Sequence, residues 1–250
     1  MRIAVLAALA LGTMLWAPAA VVAEPVGVRF TEGVGRGFPA LRDAQGEKIA
    51  QGDLLQIARG DRVENRLTFR FRDGSFYDET VVFSQRDVFT LLSYRLVQRG
   101  PAFPESIDAH VDRETGRYTV RYRADEDSPV EVLQGKFEMP EDVYNGMLGT
   151  LMKNLPTGGS ATVQIIAFTP KPRAVKMLLM PANDEPVMMG EVAVQATRFL
   201  VKPQLGLFAS LLVADIPDIK VWIAGGVAPA FLRFEGPLYF MGPVWKIDWN

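Results

Sequence analysis

The chain has 250 residues, with 27 Lys and Arg against 29 Asp and Glu, a single histidine and no cysteine. Without cysteine it can form neither disulfide bonds nor thiolate metal sites, so its stability must come from the apolar core. The slightly acidic balance argues against a nucleic-acid-binding protein, which would carry a basic surface.

The N-terminus predicts an export signal. Arg2 precedes an apolar stretch, Ile3–Trp16, and the run Val21–Ala23 ends in a small residue, which is the pattern of a cleaved signal peptide. The stretch is shorter than the roughly 20 residues that cross a bilayer, although a retained membrane anchor is the alternative. We therefore predict a signal peptide over residues 1–23, a single β-rich domain over 24–250, a periplasmic location and no transmembrane span after cleavage.

A glycine-rich stretch, Glu32–Gly37, lies near the new N-terminus. Its spacing is not that of the dinucleotide-binding fingerprint, and Phe38-Pro39 follows where that fingerprint opens a helix. We predict a flexible loop here rather than a phosphate-binding site.

Two hairpins are the clearest elements of the next part of the chain. Residues 67–71 alternate apolar and polar side chains, an Asp73-Gly74 turn follows, and residues 76–83 are predicted to form the return strand. Residues 107–111 and 117–123 do the same around Glu114–Gly116, with acidic side chains on one strand opposite basic ones on the other. Cross-strand charge pairing on an outer face explains this second pattern.

One helix interrupts the strands. Pro140 is followed by Glu141 and Asp142, residue types that favour a first helical turn, and we predict a helix over 141–154. Met147 and Leu151 lie on its apolar stripe, which we expect to pack against the sheet. A second helical piece is predicted over 204–214, a segment that is apolar almost all round.

The remaining segments predict antiparallel strands, too many for a flat sheet. The fold class that follows is mainly β, a curved antiparallel half-barrel or barrel with one main packed helix. The further strands are predicted at 88–97, 130–137, 161–169, 174–180, 187–193, 197–202, 220–223, 230–234 and 244–249.

No group of residues predicts catalysis. His110 lies between Asp108 and Asp112 on the polar face of a strand, where the three could hold a divalent ion or could simply form a solvated surface facing arginines. The acidic run 125–127 predicts an exposed turn. The G-x-S-x-G pattern that carries the nucleophile of many hydrolases is not present. We predict no enzyme activity, no catalytic residues, no metal and no cofactor.

Several motifs resemble an uncharacterised family of exported bacterial proteins. That family has no assigned activity, so no catalytic residues carry over. Its β-rich fold is similar to the curved half-barrels of periplasmic lipoprotein and lipid carriers, which implies a hydrophobic groove. The matching motifs are residues 98–104 (QRGPAFP), 139–146 (MPEDVYNG), 151–155 (LMKNL), 169–173 (TPKPR), 228–231 (APAF), 235–239 (EGPLY) and 242–247 (GPVWKI).

Large apolar side chains crowd the C-terminal part of the chain, where they either fill a core or enclose a ligand. We predict a carrier or binding protein for a lipid-like or amphipathic ligand; the alternative is an envelope-assembly or protein-interaction module with an apolar C-terminal surface that meets an envelope protein. A hydrolase ranks last, since it needs a polar pocket. The predicted ligand-binding residues are Met147, Leu151, Phe208, Leu211, Leu212 and Trp222.

Overall fold

The structure, a computed structural model, describes residues 25–204 and 217–249. These residues form fifteen strands and one helix, α1 (Leu148–Asn154). The strands before the helix are β1 (Gly35–Gly37), β2 (Pro39–Arg42), β3 (Lys48–Arg59), β4 (Arg62–Phe71), β5 (Phe76–Arg86), β6 (Val88–Arg99), β7 (Ser106–Asp112), β8 (Arg117–Arg123) and β9 (Glu131–Lys136). The strands after it are β10 (Ala161–Phe168), β11 (Pro172–Met189), β12 (Val192–Pro203), β13 (Ile219–Ala224), β14 (Ala230–Gly236) and β15 (Trp245–Trp249).

All of these strands belong to one antiparallel sheet that is curved but not closed into a barrel. Strands β2 to β9 form one meander and β10 to β15 form another, and the two are joined where β15 pairs with β2. Strands β9 and β10 are therefore the two ends of the sheet. This arrangement confirms the predicted fold class in its half-barrel form.

Both predicted hairpins are confirmed. Strands β4 and β5 are joined by a turn in which Gly74 has φ of +86°, a conformation that glycine adopts without steric cost. Strands β7 and β8 are joined in the same way through Gly116, at φ +62°. Asp112 lies opposite Arg117 as expected, whereas Asp108 makes its ion pair across the other neighbouring strand, with Arg95 at 3.0 Å.

The predicted helix over 141–154 is wrong at its start, because α1 begins only at Leu148. The preceding backbone is used to pair with β10: the Tyr144 N–H donates to the Gln164 carbonyl at 2.9 Å, and the Gln164 N–H donates to the Asp142 carbonyl at 2.8 Å. Gly146, at φ +65°, then breaks any helical run. Tertiary hydrogen bonds thus override the favourable first-turn residues.

Two of the predicted strands are parts of one longer strand. The strands at the start of the described chain, β1 to β3, were not predicted. Residues 174–180 and 187–189 belong to the single long strand β11, and the predicted strand over 187–193 contains the turn between β11 and β12. A bulge near Pro181 lets β11 continue past that residue. The predicted flexible loop over 32–37 is also wrong in part, since β1 pairs with β3 there.

The core lies on the concave face of the sheet. Phe103 is at its aromatic centre, with ring centroids 5.5 Å from both Phe71 and Tyr239, and 6.0 Å from Trp245. These rings come from separate elements of both meanders. Aromatic packing therefore holds the two halves of the sheet around a common interior.

Candidate functional site

The three predicted ligand-binding residues that the structure describes do not come together in one place. Met147 and Leu151 are fully buried in the core on the concave face. Trp222 belongs to a different apolar cluster, because its neighbours Val221 and Ile223 point into the main core and successive strand side chains alternate between faces. Phe208, Leu211 and Leu212, like the predicted helix over 204–214 from residue 205 onward, lie outside the described residues.

Trp222 is held on the outer face by polar contacts. Its indole Nε1–H donates to the Glu185 carboxylate at 2.6 Å, and this hydrogen bond lowers the pKa of Glu185. The Arg233 guanidinium lies 5.7 Å from the centre of the Trp222 ring system. The small cluster around the indole consists of Val187, Ala196, Ala224 and Leu232.

A strap, residues 139–147, covers the concave face where a carrier would hold its ligand. Arg113 donates to the carbonyls of Met139 and Pro140 at 3.0 and 2.8 Å, which fixes the start of the strap. The Asn145 side chain exchanges two hydrogen bonds with the backbone of Ile166 on β10, at 2.8 and 2.7 Å. Tyr144, Met147 and Leu151 then fill the interior, each almost wholly buried.

A carboxylate lies between the strap and the sheet. Glu79 on β5 accepts a hydrogen bond from the Tyr94 hydroxyl at 2.8 Å, and an added side-chain carbon at Gly146 would lie 3.1 Å from its Oε2. Burial raises the pKa of Glu79, and burial also raises those of Tyr77 and Tyr94. Burial therefore makes ionisation of Glu79 less favourable than that of a solvated carboxyl group, although the hydrogen bond from Tyr94 acts in the opposite direction.

An open cleft of about 360 Å³ lies instead on the outer face, across β1, β3 and β4. The pairing register brings its side chains together, because Leu55 of β3 lies opposite both Arg36 of β1 and Arg66 of β4. We call it the arginine cleft. Its lining consists of Arg36, Phe38, Gln51, Gly52, Asp53, Leu55, Arg66, Thr68 and Arg70.

Arg66 is held in place by a buried carboxylate. Its guanidinium contacts Asp78 at 2.6 Å, and the side chain of Asp78 is 3% exposed whereas that of Arg66 is 54% exposed. The Thr68 hydroxyl donates to the same carboxylate at 3.0 Å. The hydrogen bond with Asp78 raises the pKa of Arg66. The cleft therefore contains a guanidinium that is anchored from beneath and open to solvent above.

The two other arginines of the cleft differ in their pairing. Arg36 binds Asp53 through two nitrogens, at 3.2 and 2.8 Å, and this hydrogen bonding lowers the pKa of Asp53. Arg70 stacks over the Phe76 ring at 5.5 Å, and among the described residues it makes no ion pair. Among the described residues, Arg70 is thus the arginine of the cleft that no carboxylate contacts directly, although the charge of Asp53 acts on it from a longer distance.

Exposed apolar side chains adjoin these charges. Phe38 is 56% exposed and Leu55 is 41% exposed, and both line the cleft. The Arg36 guanidinium lies 5.1 Å from the centre of the Phe38 ring. An apolar surface next to guanidinium groups can bind a molecule that has both an apolar part and a polar head.

Sequence reasoning missed this cleft. The alternation through Thr68 and Arg70 correctly indicated the polar face of a strand, but the residues of β1 were interpreted as a loop. The signal that could have located the cleft is Arg36-Gly37-Phe38, a cation and an aromatic residue separated by one residue with no side chain. Their meeting with β4 depends on pairing through β3, which the linear pattern does not specify.

His110 and the two aspartates beside it, which the sequence offered as a possible metal site, make ordinary surface contacts. His110 is exposed on the outer face of β7, with Asp108 engaged by Arg95 and Asp112 by Thr115. In residues 25–204 and 217–249 no group of three or more His, Asp or Glu side chains is arranged to hold a metal ion. Across the same ranges, no helix has the length and apolar character needed to cross a membrane.

Comparison with known proteins adds one distant structural neighbour. No protein-family model matches the chain, and no curated protein matches it. A solved structure from Brucella abortus, a β-barrel-like protein of a domain of unknown function named DUF1849, aligns with a TM-score of 0.45 and 9% sequence identity. The alignment covers 92% of this chain and 98% of that protein.

Proposed function

We propose that this protein is an exported binding protein for an amphipathic ligand, which it holds at the arginine cleft. The observation that carries this proposal is the meeting of exposed Phe38 and Leu55 with three guanidinium groups in one cleft of about 360 Å³. Ligand sites in proteins commonly measure about 300–1,000 Å³. A cleft near the lower end of that range fits a head group and the first part of a chain.

The concave interior is a poorer location for the ligand. Tyr144, Met147 and Leu151 already occupy it, and the strap that carries the first two of these residues is tied to β10 by five hydrogen bonds. A ligand entering there would have to displace these contacts. Replacing one large buried apolar side chain by alanine alone costs about 2–5 kcal/mol. We therefore place the ligand on the outer face.

Chain length of the ligand tests this proposal. Each buried methylene contributes about 0.8 kcal/mol, so the four extra methylenes of octyl phosphate over butyl phosphate contribute at most about 3 kcal/mol. On an open cleft we expect about a tenfold difference in affinity by titration calorimetry. Phe38→Ser with Leu55→Ser should abolish that difference.

A matched control is Val132→Ser, which removes an exposed apolar side chain from β9, outside the cleft. It should leave both affinities unchanged. Equal binding of the butyl and octyl compounds by the unmodified protein would refute the amphipathic proposal.

Export is part of the same proposal. It is supported by the N-terminal pattern of Arg2, the apolar stretch and Ala23. The intact mass of the protein recovered from the periplasmic fraction should correspond to a chain that begins at Glu24. Recovery of only the full-length chain, in the cytoplasm, would contradict export.

A second candidate function is protein interaction through the tip of the β11–β12 hairpin. Pairing of β12 with β13 stops at Ala196, and pairing of β11 with β10 stops at Leu179, so no described strand pairs with either outer edge of the hairpin beyond those residues. Met188 and Val192 are exposed on this projection. Unpaired edges can accept an added strand from a partner.

Site-specific photo-crosslinking in cells tests the interaction. A photoreactive residue at position 188 should give one discrete adduct, whereas the same residue at exposed Arg117, on a strand that is paired on both sides, should not. Absence of a discrete adduct at position 188 would remove this candidate.

A further inference from the structure

We propose that the arginine cleft selects ligands whose head group is an oxyanion, such as a phosphate, sulfonate or carboxylate. This inference rests on the proposed function only for the apolar part of the ligand, since the head group is argued from the charges alone. Four charged side chains line the cleft, Asp53 and three arginines, which leaves an excess of positive charge.

Arg70 supplies a guanidinium that no carboxylate of the described residues contacts, although Asp53 interacts with it electrostatically. Arg70 lies over the ring of Phe76, which Arg99 also contacts from β6 at 5.2 Å. Within the described residues neither arginine makes an ion pair. Two guanidinium groups on one aromatic ring repel each other, and an oxyanion close to Arg70 relieves that repulsion. The planar guanidinium fork matches the geometry of carboxylate and phosphate oxygens.

Arg66 supplies donors in fixed positions. The Asp78 carboxylate accepts from its Nε at 2.8 Å and contacts Nη2 at 2.6 Å, so both recorded contacts lie on one edge of the guanidinium. A guanidinium has five N–H donors, and those on Nη1 remain available to a ligand. Because buried Asp78 fixes the side chain, binding an anion costs less conformational entropy than it would at a mobile arginine.

Arg36 can change partners. Its ion pair with Asp53 is exposed on both sides, with 60% and 46% of the respective side chains accessible. Exposed pairs of this kind contribute little to stability. Arg36 can therefore turn from Asp53 towards a bound oxyanion while it remains close to Phe38.

Head-group chemistry is tested with four probes on the mature protein: octyl phosphate, octyltrimethylammonium, octyl glucoside and inorganic phosphate. We expect octyl phosphate to bind about tenfold more tightly than the cationic and neutral octyl compounds in titration calorimetry below their micelle concentrations. Added salt should weaken octyl phosphate binding selectively, since screening acts on the charged interaction.

The decisive variant is Arg70→Gln, which removes the unpaired charge while Asp78 keeps its partner. Octyl phosphate should bind about tenfold more weakly, and octyl glucoside should be unaffected. The control is Arg117→Gln, which removes an exposed arginine from β8, on the outer face but outside the cleft. It should leave all affinities unchanged.

The outcomes separate this inference from the proposed function. Equal binding of all three octyl compounds would overturn the oxyanion inference and leave an amphipathic site. Equal binding of octyl phosphate and inorganic phosphate would support the oxyanion inference and refute the amphipathic proposal, because the free ion would then be sufficient. Failure of every probe to bind would refute both.

Discussion

Gly146→Ala tests how closely the strap approaches the sheet. Gly146 has φ of +65°, and a methyl group there would lie 2.4 Å from Val81 Cγ2 and 3.1 Å from the Glu79 carboxylate. A left-handed residue with a side chain costs about 1–2 kcal/mol, and overpacking a core adds about 1–3 kcal/mol. The free energy of unfolding should therefore fall by about 2–5 kcal/mol, which lowers the melting temperature by about 4–20 °C in a chain of this size.

Thermal unfolding followed by circular dichroism measures this change. Gly190→Ala is the matched control, because Gly190 also has positive φ, +61°, but no atom lies within 4 Å of the added carbon. It should lose only the conformational part, about 1–2 kcal/mol. If Gly146→Ala were no more destabilising than Gly190→Ala, the strap would not lie against β5 and the description of a filled concave face would be wrong.

Three further predictions concern the same interior. Burial raises the pKa of Glu79 in the folded state, so the protein is most stable while Glu79 is protonated and loses stability as the pH rises through that pKa. Glu79→Gln should therefore raise the melting temperature at pH 8 but not at pH 4. Equal shifts at both pH values would contradict this. Asn145→Ala leaves two backbone groups of Ile166 unpaired, which should cost about 2–6 kcal/mol and speed amide hydrogen exchange at Ile166; unchanged exchange would disprove the edge contact. Leu151→Ala should cost about 2–5 kcal/mol in urea unfolding, and a loss below 1 kcal/mol would show that Leu151 is not in a packed core.

The candidate site was only partly accessible to sequence reasoning. Met147 and Leu151 are buried as the apolar stripe predicts, but Met147 precedes the helix and belongs to the strap. The local pattern does not reveal that the strap fills the space in which a ligand could have been held. Trp222 was grouped with these two residues because it is large and apolar. Its neighbours Val221 and Ile223 face the main core, so strand alternation places the indole on the opposite side of the sheet.

The local elements follow from the amino-acid pattern: the β4–β5 and β7–β8 hairpins are indicated by alternation and by turns that contain Gly74 and Gly116. The start of the helix, the pairing of β2 with β15 and the assembly of the arginine cleft depend instead on long-range packing. The physical reason is the separation along the chain of the residues that must interact. A hairpin is specified by residues a few positions apart, whereas Asn145 finds its partner on β10, and Arg36 meets Arg66 through β3, only after distant segments have packed together.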